Sequence, residues 1–98
     1  MNSNHQDIIR LAGTEEILCQ LMEECAELAQ AAYKLRRCIS GKNSSPVSGE
    51  EAAHNIIEEF ADVTLCLQLL GYNANQSVVQ HIRDDKAERW VKRLQDRG

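Results

Sequence analysis

Apolar residues recur at intervals of three and four along residues 14–38, at Leu18, Leu21, Cys25, Leu28, Ala32 and Leu35. This spacing is typical of one face of an amphipathic helix. Thr14 is a suitable N-cap, and the acidic Glu15 and Glu16 suit the positive end of a helix dipole. Gly41 is placed to end the helix. The pattern therefore predicts a long first helix.

A second long helix is predicted over residues 48–70. Ser48 and Glu51 have the S-x-x-E spacing of a capping box, and Gly71 is placed to end the helix. Its second half, residues 63–70, is apolar almost all round, which predicts burial on more than one side. That pattern favours packing between subunits.

Shorter segments complete the prediction. Residues 6–12 form a short amphipathic pattern ended by Gly13, and residues 75–95 form a C-terminal helical pattern. Residues 40–48 hold the Gly, Ser, Asn and Pro typical of a surface loop. No strand pattern competes with the helices. We therefore expect one all-α domain over residues 1–98, a bundle of two long helices with a short N-terminal helix and a C-terminal helix.

Size and charge limit the partners. A 98-residue domain buries only a little over half of the surface that its unfolded chain exposes, so we expect a homodimer or homotetramer. The formal net charge of −4 and the pI near 5.3 offer no broad basic surface, so we expect no nucleic-acid partner. No apolar run is long enough to span a membrane, so we expect no membrane partner.

The cysteines follow no metal-binding or dithiol motif. Cys19, Cys25, Cys38 and Cys66 lack CxxC spacing and nearby paired histidines. We interpret Cys25 and Cys66, which lie in apolar helical segments, as small hydrophobic residues. With separate thiols and no visible signal peptide, the expected location is the cytoplasm.

Two pairs of acidic residues carry the candidate chemistry. Glu24 and Glu27 lie three apart on the first long helix, and Glu59 and Asp62 lie three apart on the second. Residues three apart project from nearly the same helix face. If the two helices pack antiparallel, four carboxylates converge, and their mutual repulsion requires protons or a cation. Oxygen ligands without His or thiolate favour Mg²⁺ or Mn²⁺ over Zn²⁺.

A solvated helix surface is the alternative interpretation, since Glu is a good helix former and one ExxE pair is common on exposed helices. The repetition on two helices weakens that alternative. Cys25, Ala26, Phe60 and Ala61 also lie between the acids, so both pairs are set in apolar surroundings.

The pattern Glu23-Glu24-x-x-Glu27 followed by Glu59-x-x-Asp62 resembles the EExxE…ExxD signature of MazG-like pyrophosphohydrolases. That superfamily includes dimeric dUTPases, dCTP pyrophosphatases and phosphoribosyl-ATP pyrophosphatase. The resemblance extends over most of the chain. It implies that Glu24, Glu27, Glu59 and Asp62 bind Mg²⁺ and form the catalytic site, with Glu23 outside the ligand set.

Basic residues of the C-terminal helix are the candidate phosphate contacts. Lys86, Arg89 and Arg93 follow Ile82 at intervals of four, three and four, which places them on one helix face. The resemblance implies that this face binds substrate phosphates. The alternative is compensation of the helix dipole together with solvation.

The resemblance further implies a reaction, the hydrolysis of nucleoside triphosphates to monophosphate and pyrophosphate, with nucleotide-pool house-cleaning as one use. Two alternatives stay open. One is a related pyrophosphohydrolase of the phosphoribosyl-ATP type, and the other is a non-catalytic acidic helical interaction module. The base preference and the general base are not predicted.

Overall fold

A computed structural model describes residues 2–41 and 48–97 and contains three α-helices. Helix α1 spans Ser3–Ser40, α2 spans Gly49–Leu69 and α3 spans Ser77–Asp96. Those two stretches contain no strand, which confirms the all-α prediction. None of these helices has the length and apolar character that crossing a membrane requires.

Helix α1 is two helical segments joined at a kink. Gly13 has φ 83° and ψ 166°, outside the helical region and in the part of φ space that favours glycine. The break predicted at Gly13 is therefore confirmed. The N-terminal segment begins earlier than predicted, because Asn2 accepts a hydrogen bond from the His5 backbone N–H at 2.9 Å and caps the helix.

The helix ends next to the predicted loop follow the sequence signals. Gly41 adopts a left-handed conformation with φ 65°, and its N–H donates to the Arg37 carbonyl at 3.1 Å. The Ser48 hydroxyl accepts from the Glu51 N–H at 3.1 Å and caps α2. The predicted loop over residues 40–48 falls mostly on residues 42–47, which lie outside the described residues.

Helices α1 and α2 pack against each other as an antiparallel hairpin. Glu27 and Ala31 of α1 share a recess with Glu59 and Asn55 of α2, so residue numbers run in opposite directions across the contact. Buried and half-buried positions recur in steps of four and three, at Ile17, Leu21, Glu24, Leu28, Ala31 and Leu35 in α1 and at Ala52, Ile56, Glu59, Val63 and Cys66 in α2, continuing to its C-cap Leu70. One glutamate therefore occupies a seam position in each helix.

This seam corrects the predicted apolar face of α1. Leu21, Leu28 and Leu35 belong to the seam as predicted, but Leu18, Cys25 and Ala32 are exposed. The apolar pattern is wide enough for two seams one residue apart, and packing against α2 selects the one that contains Glu24. Of the two cysteines interpreted as small hydrophobic residues, Cys25 is exposed and Cys66 is buried.

Helix α3 projects away from the hairpin. It makes no backbone approach to α1 or α2 within the described residues, and every residue from Gln80 to Arg97 is exposed. The Cα radius of gyration is 17.0 Å, against about 13 Å for a compact domain of this length. The expected bundle is thus incomplete within one chain, because only α1 and α2 pack together.

Candidate metal centre

Three carboxylates converge at the middle of the seam. One oxygen from each of Glu24, Glu27 and Glu59 lies within 4.8 Å of the others. The i, i+3 spacing on α1 brings Glu24 and Glu27 to one face, and the antiparallel packing brings Glu59 of α2 opposite them. Three of the four predicted ligands are therefore close enough to share one cation.

Two of these side chains hold a carboxylate oxygen away from solvent with nothing to bind it. Gln20 Nε2 donates to Glu24 Oε1 at 2.8 Å, but Glu24 Oε2 is buried and has no hydrogen-bond partner among the described residues. Glu59 Oε2 is likewise buried without a partner. A buried unpartnered acceptor is unfavourable, so a cation or proton bound at these two oxygens would be stabilising.

The fourth predicted ligand, Asp62, lies at the edge of this group. It is outside the set of oxygens within 4.8 Å, and the negative charge of Glu24 acts on its side chain. Desolvation and the neighbouring Glu24 raise the pKa of Asp62. The structure therefore places Asp62 beside the three-carboxylate group.

The pKa of Glu59 responds to all three neighbouring carboxylates. Its pKa is raised first by desolvation and then by the negative charges of Glu27, Glu24 and Asp62. Each cause opposes ionisation in the absence of a metal. A divalent cation reverses the effect because it favours the ionised carboxylates.

A recess beside the carboxylates is lined by further residues that were not predicted as part of the site. It has a volume of about 310 Å³ and is lined by Glu27, Gln30, Ala31, Lys34, Asn55 and Glu59. The Lys34 side chain places a positive charge in the same recess as the carboxylates of Glu27 and Glu59. Lys34 follows Glu27 by seven residues, or about two helical turns, so the sequence alone indicates that the two share a helix face.

Cys66 is a second residue that the site analysis from sequence missed. Burial raises the pKa of its thiol, and the charges of Glu24 and Asp62 raise it further, as does Cys25. Cys66 follows Asp62 by four residues, so the sequence alone indicates that the two share a helix face. Because its pKa is raised, the Cys66 thiol stays protonated and adds no further negative charge beside Glu24 and Asp62.

Two neighbouring acidic residues, Glu23 and Glu58, lie on the exposed surface and not in the seam. Glu58 forms an ion pair with His54, at 3.2 Å between Nε2 and Oε1, and both side chains are exposed. Glu23 is also exposed. Both belong to the solvated surface, which makes them suitable controls for the seam glutamates.

The predicted phosphate contacts lie on α3. Lys86, Arg89 and Arg93 are exposed, and none of them forms an ion pair with another residue of the described ranges. Helix α3 does not approach the hairpin, so the chain by itself does not bring these cations to the carboxylates.

Comparison of the chain with family models, with characterised proteins and with solved structures found no match. The similarity to MazG-like enzymes therefore depends on the motif residues alone.

Proposed function

We propose that this chain is a Mg²⁺-dependent nucleoside triphosphate pyrophosphohydrolase. The observation that carries the proposal is the pair of seam glutamates, Glu24 and Glu59, each with a buried oxygen that has no partner among the described residues. Hydrophobic residues at both positions would stabilise a purely structural seam better. Two carboxylates retained there, with Glu27 alongside, favour a binding role.

The donor set suits a hard divalent cation. Glu24, Glu27 and Glu59 supply only oxygen, and the separation of their oxygens allows one ion to contact all three. Asp62 would bind the same ion after a small side-chain rotation, or a second ion. Mg²⁺ is the expected ion, and Mn²⁺ is an acceptable substitute because it prefers the same oxygen ligands.

The protein groups around this centre have separate tasks in the proposed reaction. When bound, the ion would neutralise substrate phosphates and lower the pKa of a water molecule. Lys34 lines the same recess and would hold a phosphate from the α1 side. Lys86, Arg89 and Arg93 are the further phosphate contacts. Glu27, the exposed member of the three, is best placed to accept a proton at a carboxylate oxygen.

The proposal also covers the substrate, the assembly and the location of the protein. It includes a substrate of the nucleoside triphosphate class, a homodimeric or homotetrameric assembly and a cytoplasmic location, which suits four free cysteines. A related reaction on phosphoribosyl-ATP uses the same metal chemistry. The non-catalytic alternative is an acidic interaction module, in which Glu24 and Glu59 have no cation to bind.

A comparison of two neighbouring variants tests the proposal. Glu59→Gln removes a seam carboxylate, whereas Glu58→Gln removes an exposed carboxylate of the same helix. We expect Glu59→Gln to abolish both triphosphate turnover and stabilisation by Mg²⁺, and Glu58→Gln to keep both. If no triphosphate in a panel of common and modified bases is turned over, and Glu59→Gln leaves the Mg²⁺ affinity unchanged, the metal site does not exist.

A further inference from the structure

An open wedge separates one side of the hairpin from the start of α3. A cavity of about 670 Å³ lies at its base and is lined mainly by apolar residues, among them Leu28, Phe60, Val63, Leu67 and Val79. Phe60 is 61% exposed although it faces this cavity. The described part of the chain leaves the wedge without a cover.

The hairpin wall of the wedge is apolar and uncharged along its length. Beside Phe60 and Leu67, the same side of α2 carries Ala53, Ile57 and Thr64, and the matching side of α1 carries Leu18, Met22, Cys25, Ala29 and Ala32. None of these residues is charged, and Met22 is 71% exposed. A strip of this kind is typical of a surface that another helix layer covers.

The carboxylates lie on the opposite side of the hairpin. Each helical residue turns the side chain by about 100°, so Phe60 and Asp62 project to opposite sides of the seam position Glu59. The same holds for Cys25 and Glu27 around Glu24. The two recesses agree with this, since one contains Glu27 and Glu59 and the other contains Leu28 and Phe60. The hairpin therefore has an apolar side and an acidic side.

The α3 wall of the wedge is apolar and basic. Val79 and Arg83 line the cavity, and the same helix face continues through Lys86, Trp90 and Leu94, with Arg89 and Arg93 beside them. Residues 77–97 hold six basic and four acidic residues, whereas the part of the hairpin that the structure describes holds four basic and eleven acidic residues. The two walls thus require an occupant that is apolar towards the hairpin and acidic towards α3.

A second copy of the hairpin has both properties on its two sides. We propose that a second copy of this chain fills the wedge, so that the two apolar hairpin sides pack together and α3 of each copy lies across the acidic side of the other. The arrangement is isologous, because each copy gives and receives the same contacts. Like-charge repulsion disfavours any dimer that pairs the two acidic sides.

This assembly brings the basic face of α3 to the carboxylate site of the other copy. Lys86 and Arg89 then hold the phosphates of a substrate whose metal is bound by the second chain. This consequence rests on the proposed function, whereas the filling of the wedge does not.

Light scattering on the full chain tests the wedge. We expect a dimeric or larger wild type, and monomers for Phe60→Asp and Leu18→Asp, which put a charge on the apolar side from α2 and α1. Ala26→Asp is the matched control, because Ala26 is exposed and projects about 200° from the seam position Glu24, away from both the apolar and the acidic side of the hairpin. Circular dichroism checks that all variants stay helical. A monomeric wild type, or helical variants at both positions that keep its mass, would overturn the proposal.

Co-expression of two inactive variants tests the shared site. One chain carries Glu59→Gln and the other carries Lys86→Ala with Arg89→Ala, with different tags to purify the mixed dimer. If α3 acts on the other copy, one of the two sites is intact, and roughly half of the wild-type turnover returns. A mixed dimer as inactive as its parents would overturn the sharing of the site. An inactive wild type instead contradicts the proposed function, and the light-scattering result still decides the wedge.

Discussion

Two seam positions with a glutamate define the site at the scale of residues. Glu24 and Glu59 occupy places where the neighbouring turns of both helices put Leu, Ile, Val, Ala or Cys. A carboxylate there is desolvated and close to others of the same sign, which is unfavourable unless a proton or cation is bound. In the metal-free chain these like charges therefore repel one another in the seam, and a bound divalent cation would relieve that repulsion.

A pH dependence of stability follows from the raised pKa of Glu59. A carboxylate whose pKa is higher in the folded than in the unfolded chain contributes stability below its unfolded pKa, near 4.5, and loses that contribution as the pH rises through the folded value. In EDTA, the melting temperature should therefore rise as the pH falls from about 7 towards about 5. Thermal melts should show a weaker slope for Glu59→Gln. An equal slope in both proteins would contradict the repulsion.

Glu24→Gln provides a second test at this scale. The neutral amide removes one repelling charge, so the variant should melt at a higher temperature than the wild type in EDTA. It should also lose most of the stabilisation by Mg²⁺, which for a wild type at 100 times its Kd amounts to about 2.7 kcal/mol. The control is Glu23→Gln, which removes an exposed charge next to it. Equal behaviour of the two variants would exclude Glu24 as a ligand.

The sequence was enough to predict that Glu24 shares a helix face with Glu27, and Glu59 with Asp62, because residues three apart on a helix share a face whatever the partner helix is. The position of Glu24 in the seam, and the nearness of Lys34 and Cys66 to the carboxylates, were not predicted, because a shared helix face does not show which side chains the packing of α1 against α2 brings together. The amide of Gln20 was missed although it lies four residues before Glu24, since nothing in the sequence indicates that its hydrogen bond is made.

At the scale of helices, the signals for starts and stops were reliable. Gly13, Gly41 and Ser48 act where the sequence placed them, because their roles depend on local backbone geometry. The register of α1 was less predictable. Leu18 and Ile17 are both apolar, so only the contact with α2 decides which of them is buried, at 45% and 4% exposure.

Ser48→Ala tests the cap of α2. The Ser48 hydroxyl accepts from the Glu51 N–H, and its loss should lower the stability of the fold by about 1 kcal/mol. In a domain of this size the melting temperature should fall by about 4–8 °C. Ser77→Ala is a suitable control, since the start of α3 has no side-chain cap. Equal shifts for both variants would contradict a specific capping role.

At the scale of the whole molecule, the sequence predicted the helix α3 but not its separation from the hairpin. Amphipathic patterning shows that Ile82, Trp90 and Leu94 need a partner, yet it does not say which chain supplies it. An isolated helix of 20 residues is marginally stable in water. In the part of the chain that the structure describes, the hairpin thus has an uncovered apolar side and α3 is exposed from Gln80 onward.

Hydrogen exchange can test whether assembly with a second copy protects α3. In the assembled wild type, the backbone amides of α3 should be protected, whereas in the monomeric Phe60→Asp variant they should exchange much faster than those of the hairpin. The amides around Ile17 and Ala52 in the hairpin seam serve as the internal reference. Fast exchange of α3 in both proteins would show that assembly does not cover this helix.

The identity of the reaction products tests the central claim most directly. The purified chain is incubated with nucleoside triphosphates and Mg²⁺, and the products are separated by anion-exchange chromatography. The proposed chemistry predicts monophosphate and pyrophosphate in equal amounts, with none formed in EDTA or by Glu59→Gln. Diphosphate with orthophosphate, or no turnover of any triphosphate tested, would contradict it.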